Sequence, residues 1–379
     1  MSVADSVRER YEVSKAEVQS LREQLHEKRA SLLDTDVATT AQSQGCKPVD
    51  INNLYFKCVR TLQGHTGKIY SLDWAYRETS RIVSASQDGR LIVWNAISSQ
   101  KTYSLKLACA WVKAAAISPG GNTVACGGLD NVCSIFNLSS VPDKEGNLPV
   151  SGTLAGHTGY LSSCKYMPTQ EKHIVTSSGD HTCRFWDVET QCCIAVFGGD
   201  ILTGHTGDVM SVSVSSSSPH VFISGSCDKS AKLWDVRTPA RAQRTFYGHE
   251  GDVNTVNFLS EGRHFGTGSD DGSCRLFDIG TGHELQQYWD KQALARGPVN
   301  VTSVAFSRSG RLLFAGYSNG NCYVWDTLLA KVVANLGGGR DDGHTNRVSC
   351  LGLAADGDAL CTGSYDATLK VWSCAGKKS

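Results

Sequence analysis

GHTGKIYSLDWAYRETSRIVSASQDGRLIVWN, residues 64–95, carries the markers on which the fold depends: Gly64-His65 at its start, Ser84 and Asp88 further on, and Trp94-Asn95 at its close. Two alternating runs, 81–86 and 90–94, flank the turn Gln87-Asp88-Gly89, the pattern of a β-hairpin. Gly-His recurs at His157, His205, His249 and His344, and the successive spacings starting from His65 are 92, 48, 44 and 95 residues. Two of these gaps are double length, so the chain holds seven units, two of which have lost the histidine.

The unit ends agree. Trp94-Asn95, Phe136-Asn137, Trp186-Asp187, Trp234-Asp235, Phe277-Asp278, Trp325-Asp326 and Trp372-Ser373 recur every 42 to 50 residues. That is the blade length of a WD-repeat propeller. The predicted fold is all-β, a seven-bladed WD-repeat β-propeller preceded by an N-terminal coiled-coil α-helix. Residues 1–36 are assigned to the helix, 37–53 to a linker and 54–379 to the propeller. Only seven mostly polar residues follow Trp372, so the missing outer strand is expected from 55–60, and its pairing closes the ring without an open edge.

Six residues before each terminal aromatic stands Asp88, Asp130, Asp180, Asp228, Asp271, Asn319 or Asp366. Ten before it stand Ser84, Thr176, Ser224, Thr267 and Thr362, with Cys126 and Ala315 in the two units that lack the histidine. This joint loss implies one hydrogen-bonded chain of His, Ser/Thr, Asp and Trp inside a blade. The predicted structural sets are His65, Ser84, Asp88, Trp94; His157, Thr176, Asp180, Trp186; His205, Ser224, Asp228, Trp234; His249, Thr267, Asp271; and His344, Thr362, Asp366, Trp372. One set per blade points around a ring and does not converge, so a structural role outweighs metal binding or catalysis.

The 379 residues are 40% hydrophobic and 20% charged, with 37 Lys+Arg against 37 Asp+Glu, which gives no sign of nucleic-acid binding or of attraction to an anionic membrane. Fifteen cysteines lie scattered, with no C-x-x-C, and read as reduced, buried thiols of a cytosolic protein. There is no signal region or long apolar run, Ser2 stands where myristoylation needs glycine, and the C-terminus is no prenylation box. The chain is therefore expected not to span a membrane, and the sequons at Asn137 and Asn300 are expected to be unmodified. No P-loop, metal-spaced cluster or triad-like signature supports an enzyme, and no cofactor or metal is expected.

From residue 5 to about 33 there is no Pro or Gly. Apolar side chains at Val7, Tyr11, Val18, Leu21, Leu25 and Leu32, with Ala4 before them and Ser14 and Lys28 in the gaps, alternate at three and four. This seam predicts pairing with a partner helix; the alternative is that the helix folds back on the propeller.

If each histidine bonds its turn aspartate, residues beside these anchors share one face of the disc. The third and fifth residues after the histidine give Lys68 and Tyr70, Trp111 and Lys113, Tyr160 and Ser162, Asp208 and Met210, Asp252 and Asn254, Asn300 and Thr302, Arg347 and Ser349. The residue before the turn acid gives Gln87, Leu129, Gly179, Cys227, Asp270, Ser318 and Tyr365. Aromatic, Met and charged side chains on one rigid surface have the composition of a protein-binding hot spot. The alternative is that individual residues tuck between blades.

The helix, Gly64-His65-Thr66-Gly67-Lys68-Ile69-Tyr70, the 83–89 run, Val124-Ala125-Cys126-Gly127-Gly128-Leu129-Asp130 and the 348–353 run resemble the β subunit of heterotrimeric G proteins over essentially the whole chain. The 33–37 and 311–317 segments resemble its land-plant branch. The resemblance implies an obligate dimer with a lipid-anchored γ subunit, formed by the helix. It also implies a propeller face for the GDP-bound α subunit and for effectors, at the cytoplasmic side of the plasma membrane and in the cytosol. The family's α-contacting positions correspond to Lys68, Tyr70, Trp111, Leu129, Asn131, Tyr160, Asp208, Met210, Cys227, Asp252, Asn254, Asp270, Arg347 and Tyr365. Three positions depart from the family: Lys113 where Met is usual, Tyr365 where Trp is usual, and Ser318 where animal members have Asp. Another WD-repeat scaffold or ubiquitin-ligase adaptor is the alternative, which co-expression with a γ subunit would separate.

Overall fold

The computed structural model describes residues 13–21, 23–24, 54–144, 147–168, 170–200, 202–289, 299–337 and 341–375. The chain divides into two units, Met1–Asn52 and Asn53–Ser379. In the first, the described residues 13–21 and 23–24 are helical, and Val18 and Leu21 are exposed. The seam positions Val7, Tyr11, Leu25 and Leu32, and all of the 37–53 linker, lie outside the described residues.

The second unit consists of seven four-stranded antiparallel sheets. Blade 1 contains strands Ile69–Trp74, Arg81–Ser86, Arg90–Asn95 and Gln100–Lys106, in that spatial order. Blades 2 to 6 repeat this over 112–155, 161–198, 209–246, 253–288 and 301–335. Blade 7 takes three strands from 348–375 and its outermost strand from Tyr55–Gln63, which pairs antiparallel with Thr368–Ala375. The two ends of the propeller therefore share one sheet, and the closing strand is longer than the six residues expected. Phe56 anchors it against Phe314 of blade 6, ring centroids 5.8 Å apart at 88°.

The middle strands of each blade are apolar on both faces because neighbouring blades cover both. Strand Leu312–Tyr317 is one example, buried along nearly its whole length. Around the central channel, short polar side chains of one inner strand serve backbone N–H groups of the next. Ser71 and Asp73 accept from Ala115 and Ile117, Ser211 and Ser213 from Val256 and Phe258, and Thr255 from Val304. These bonds span blade boundaries and satisfy donors that no strand ladder reaches.

Within blades 1, 3, 4 and 7 the four polar residues form a continuous chain. In blade 1, Trp94 Nε1–H donates to Ser84 Oγ at 2.8 Å, Ser84 lies 2.8 Å from His65 Nε2, and His65 Nδ1 lies 2.9 Å from Asp88 Oδ2. A neutral imidazole carrying its proton on Nδ1 satisfies every link. The Asp88 oxygens also accept the backbone N–H groups of Thr66 and Arg90. The chains in blades 3, 4 and 7 have links of 2.7 to 2.9 Å.

The joint loss inferred from the sequence is less strict than expected. Blade 5 keeps His249, Thr267 and Asp271 although Phe277 replaces the Trp. Blade 6 keeps Trp325 although Ala315 removes its acceptor, and the buried indole N–H has no hydrogen-bond partner. The Tyr317 hydroxyl lies beside it, outside hydrogen-bonding geometry. The aromatic ring is retained there for its packing in the blade core.

Cys126, Cys133, Cys183, Cys274 and Cys322 are buried free thiols as expected, whereas Cys192, Cys193 and Cys374 are exposed. No helix among the described residues is long and apolar enough to cross a membrane.

Candidate functional site: a ring of side chains on one propeller face

Two repeated backbone features bring the selected positions together. In blades 1 and 3 to 7, the carbonyl of the third residue after the histidine, or its equivalent, accepts the N–H of the residue before the turn acid. Examples are Gln87 to Lys68 at 2.8 Å, Cys227 to Asp208 at 2.9 Å, Asp270 to Asp252 at 2.9 Å and Tyr365 to Arg347 at 2.9 Å. The residue after each turn acid is left-handed in all seven blades; it is glycine in three, and Asn131, His181, Lys229 and Ala367 fill the other four.

The second feature had no visible signal in the sequence. In the first hairpin of every blade the register slips by one residue, and the residue skipped is Tyr70, Lys113, Ser162, Met210, Asn254, Thr302 or Ser349. These are the fifth positions after the histidine, so each is the extra residue of a β-bulge. A bulge re-aims its side chain, and the direction depends on length. The short Ser162, Thr302 and Ser349 turn toward the next blade, where their hydroxyls donate to the carbonyls of Val209, Val348 and Ile69. These three are interblade clamps and correct the expectation that they project from the face. Asn254 does both, donating to Val301 O at 2.8 Å and Asp270 Oδ1 at 2.6 Å.

The longer side chains make a continuous surface. Over blades 7, 1 and 2, Arg347 and Lys68 stand over the Tyr365 ring at 5.6 and 5.0 Å, and Tyr365 meets Tyr70 edge-on at 5.5 Å. Tyr70 in turn stacks on Trp111 at 6.1 Å. Trp111 is 41% exposed and Leu129 49%, unusual for apolar side chains without a partner. The backbone holds Trp111 in place: its φ is 69°, and a Cβ on Gly128 would fall 2.0 Å from its carbonyl oxygen. Tyr365 is thus the hub of this sector. Ser318 accepts the Asn300 N–H on its hydroxyl at 3.0 Å.

Over blades 4 and 5 the surface is acidic, with Asp208, Asp252 and Asp270. Burial, a hydrogen bond with Asp252 and the charges of Asp252, Asp208 and Asp270 push the Cys227 thiol up to about 12, so it is not a nucleophile at neutral pH. Tyr160 and Lys113 join the two sectors. The Tyr160 hydroxyl donates to Asp208 at 2.8 Å and contacts Met210 Sδ at 3.6 Å, and the Lys113 ammonium lies 4.0 Å from the Tyr160 ring centroid. Burial, followed by the bond to Asp208, holds the phenol above its ordinary range. Asn131 Nδ2 reaches the Thr158 carbonyl at 3.4 Å, at the edge of the same region.

No group of three or more His, Cys, Asp or Glu among the described residues is placed to hold a metal ion. The histidine sets remain separate, one per blade, and the face offers shape, aromatic area and charge.

A seven-bladed WD-repeat propeller with an aromatic and charged plate on one face defines a scaffold class of protein. The profile described as G protein beta WD-40 repeat protein matches residues 9–373. The chain is 61% identical over 376 residues to a guanine nucleotide-binding protein subunit beta of Nicotiana tabacum, covering 99% of each sequence. It is 60% identical to the Arabidopsis thaliana subunit beta over 379 residues, covering 100% of this chain and 99% of that one, and 57% identical to that of Oryza sativa subsp. japonica over 378 residues, again covering 100% and 99%. The chain belongs to the G protein β subunit family, whose members are non-enzymatic scaffolds.

Proposed function

We propose that this chain pairs with a G protein γ subunit through its N-terminal helix and holds a GDP-bound α subunit on the ring face. When GTP reorders the α subunit's switch region, the shared contacts are lost and the same face engages effectors. The two kinds of partner compete because they use the same residues. Membrane attachment comes from the lipid of the γ subunit, which places the complex at the cytoplasmic side of the plasma membrane.

The observation that carries this reading is the unbroken run of contacts from Arg347 through Tyr365, Tyr70 and Trp111, matched by the Lys113, Tyr160 and Asp208 cluster. It is a stiff plate with exposed aromatic area, as protein-binding hot spots are. Trp111→Ala in the βγ dimer should weaken binding of the GDP-bound α subunit by about tenfold or more and leave γ association unchanged. Equal affinities by titration calorimetry would remove the α subunit from this face.

A further inference from the structure

Lys113 is the bulged residue of blade 2 and stands half-buried between the aromatic and the acidic sectors. Its ammonium rests against the Tyr160 ring, 4.0 Å from the centroid, and donates no hydrogen bond to any described residue. Asp208, the carboxylate whose charge acts on it, is held by other groups. Asp208 accepts the Tyr160 hydroxyl on Oδ2 at 2.8 Å and faces His181 Nε2 with Oδ1 at 3.5 Å. The amine N–H groups are therefore served by solvent, while the π face takes one side of the cation. Burial lowers its pKa, and Asp208 and Cys227 act in the opposite direction.

A partner that covers Trp111 and Tyr160 removes that solvent. An ammonium stripped of water and left without acceptors is among the most costly groups an interface can enclose. A carboxylate supplied from the other side gives a charge-assisted hydrogen bond and completes the arrangement. An apolar side chain in the same place leaves the cation unanswered. We infer that Lys113 is a specificity-determining residue of the face, selecting partners that set a carboxylate opposite the Tyr160 ring and rejecting those that present an apolar side chain there. The inference rests on the assignment of this face to the α subunit and states the chemistry that subunit must bring.

The test is titration of the GDP-bound α subunit into the purified βγ dimer at low and moderate salt, with Lys113→Met, Lys113→Arg and Trp111→Ala variants. Retained γ association shows that each variant has folded. Lys113→Met should weaken binding about tenfold at low salt and flatten the salt dependence, and Lys113→Arg should keep most of both. If Lys113→Met binds as tightly as the parent or more tightly while Trp111→Ala is weakened, the surface opposite Lys113 is apolar and the inference fails, although the face stands. If Trp111→Ala binds like the parent, the α subunit docks elsewhere, and both the face assignment and the role of Lys113 fail.

Discussion

Replacing Ser84 by Ala asks whether the polar chain inside a blade acts as a unit. Ser84 is fully buried, and its Oγ lies 2.8 Å from both Trp94 Nε1 and His65 Nε2. The hydroxyl accepts from the indole and donates to the imidazole, so one substitution leaves a buried donor and a buried acceptor unanswered together. At about 1–3 kcal/mol for each orphaned group, Ser84→Ala should destabilise the propeller by about 2–6 kcal/mol. A surface substitution away from such a feature costs about 0.5 kcal/mol or less. The loss should also depend on Trp94. In a Trp94→Phe background no indole donor remains to be orphaned, so Ser84→Ala should cost about 1–3 kcal/mol less there. Blade 2 goes further and lacks the histidine as well, with Cys126 and Phe136 both buried at the positions of Ser84 and Trp94. The measurement is denaturant unfolding of the full chain in its γ-bound form, with hydrogen exchange of the blade 1 amides to localise the effect. A Ser84→Ala protein within about 0.5 kcal/mol of the parent, or an equal cost in both Trp94 backgrounds, would refute the reasoning.

Acid should weaken the same networks. Burial alone would raise the carboxyls of Asp88, Asp180, Asp228, Asp271 and Asp366, but hydrogen bonds from the histidines and nearby backbone N–H groups outweigh it and hold them below their ordinary range. Their stabilisation is complete above about pH 4, the unfolded carboxylate value, and is lost as pH falls through the lower folded values. Burial also holds His205 below its ordinary value, so its contribution is present above about pH 6.5 and fades as pH falls below that. The melting temperature should therefore decline from about pH 6.5 downward and most steeply below about pH 4; a rise between pH 7 and 5 would contradict this. At the ring closure, Phe56→Ala should cost about 3–5 kcal/mol and raise hydrogen exchange in Thr368–Ala375 before other strands. Unchanged protection there would mean that the closing strand does not depend on the Phe56–Phe314 contact.

Much of this architecture can be read directly from residue order because its defining interactions are short-range along the chain. His65, Ser84, Asp88 and Trp94 fall within the three successive strands of one blade and the loop before them, so a periodic search recovers the blade count, the internal clamps and the closing strand. The co-occurrence rule was too strict because an aromatic ring at the blade end packs whether or not its N–H is answered, as Trp325 shows. The candidate face was half legible. Position relative to the anchors named Lys68, Trp111, Tyr160, Asp208 and Arg347, but it treated every fifth residue alike.

What residue order determined was the repeat: the number of blades, the members of each polar chain and the rows of positions facing one way. What only the tertiary structure decided was the direction each bulged side chain takes and what it meets. Tyr70 reaches Tyr365 across the seam between the first and last blades, and Tyr160 reaches Asp208 in the blade after its own. Ser162, Thr302 and Ser349 turn away into the joints between blades. Such contacts depend on closure of the ring and on the twist of each sheet against its neighbour. Those are properties of the assembled torus, to which no single repeat gives access.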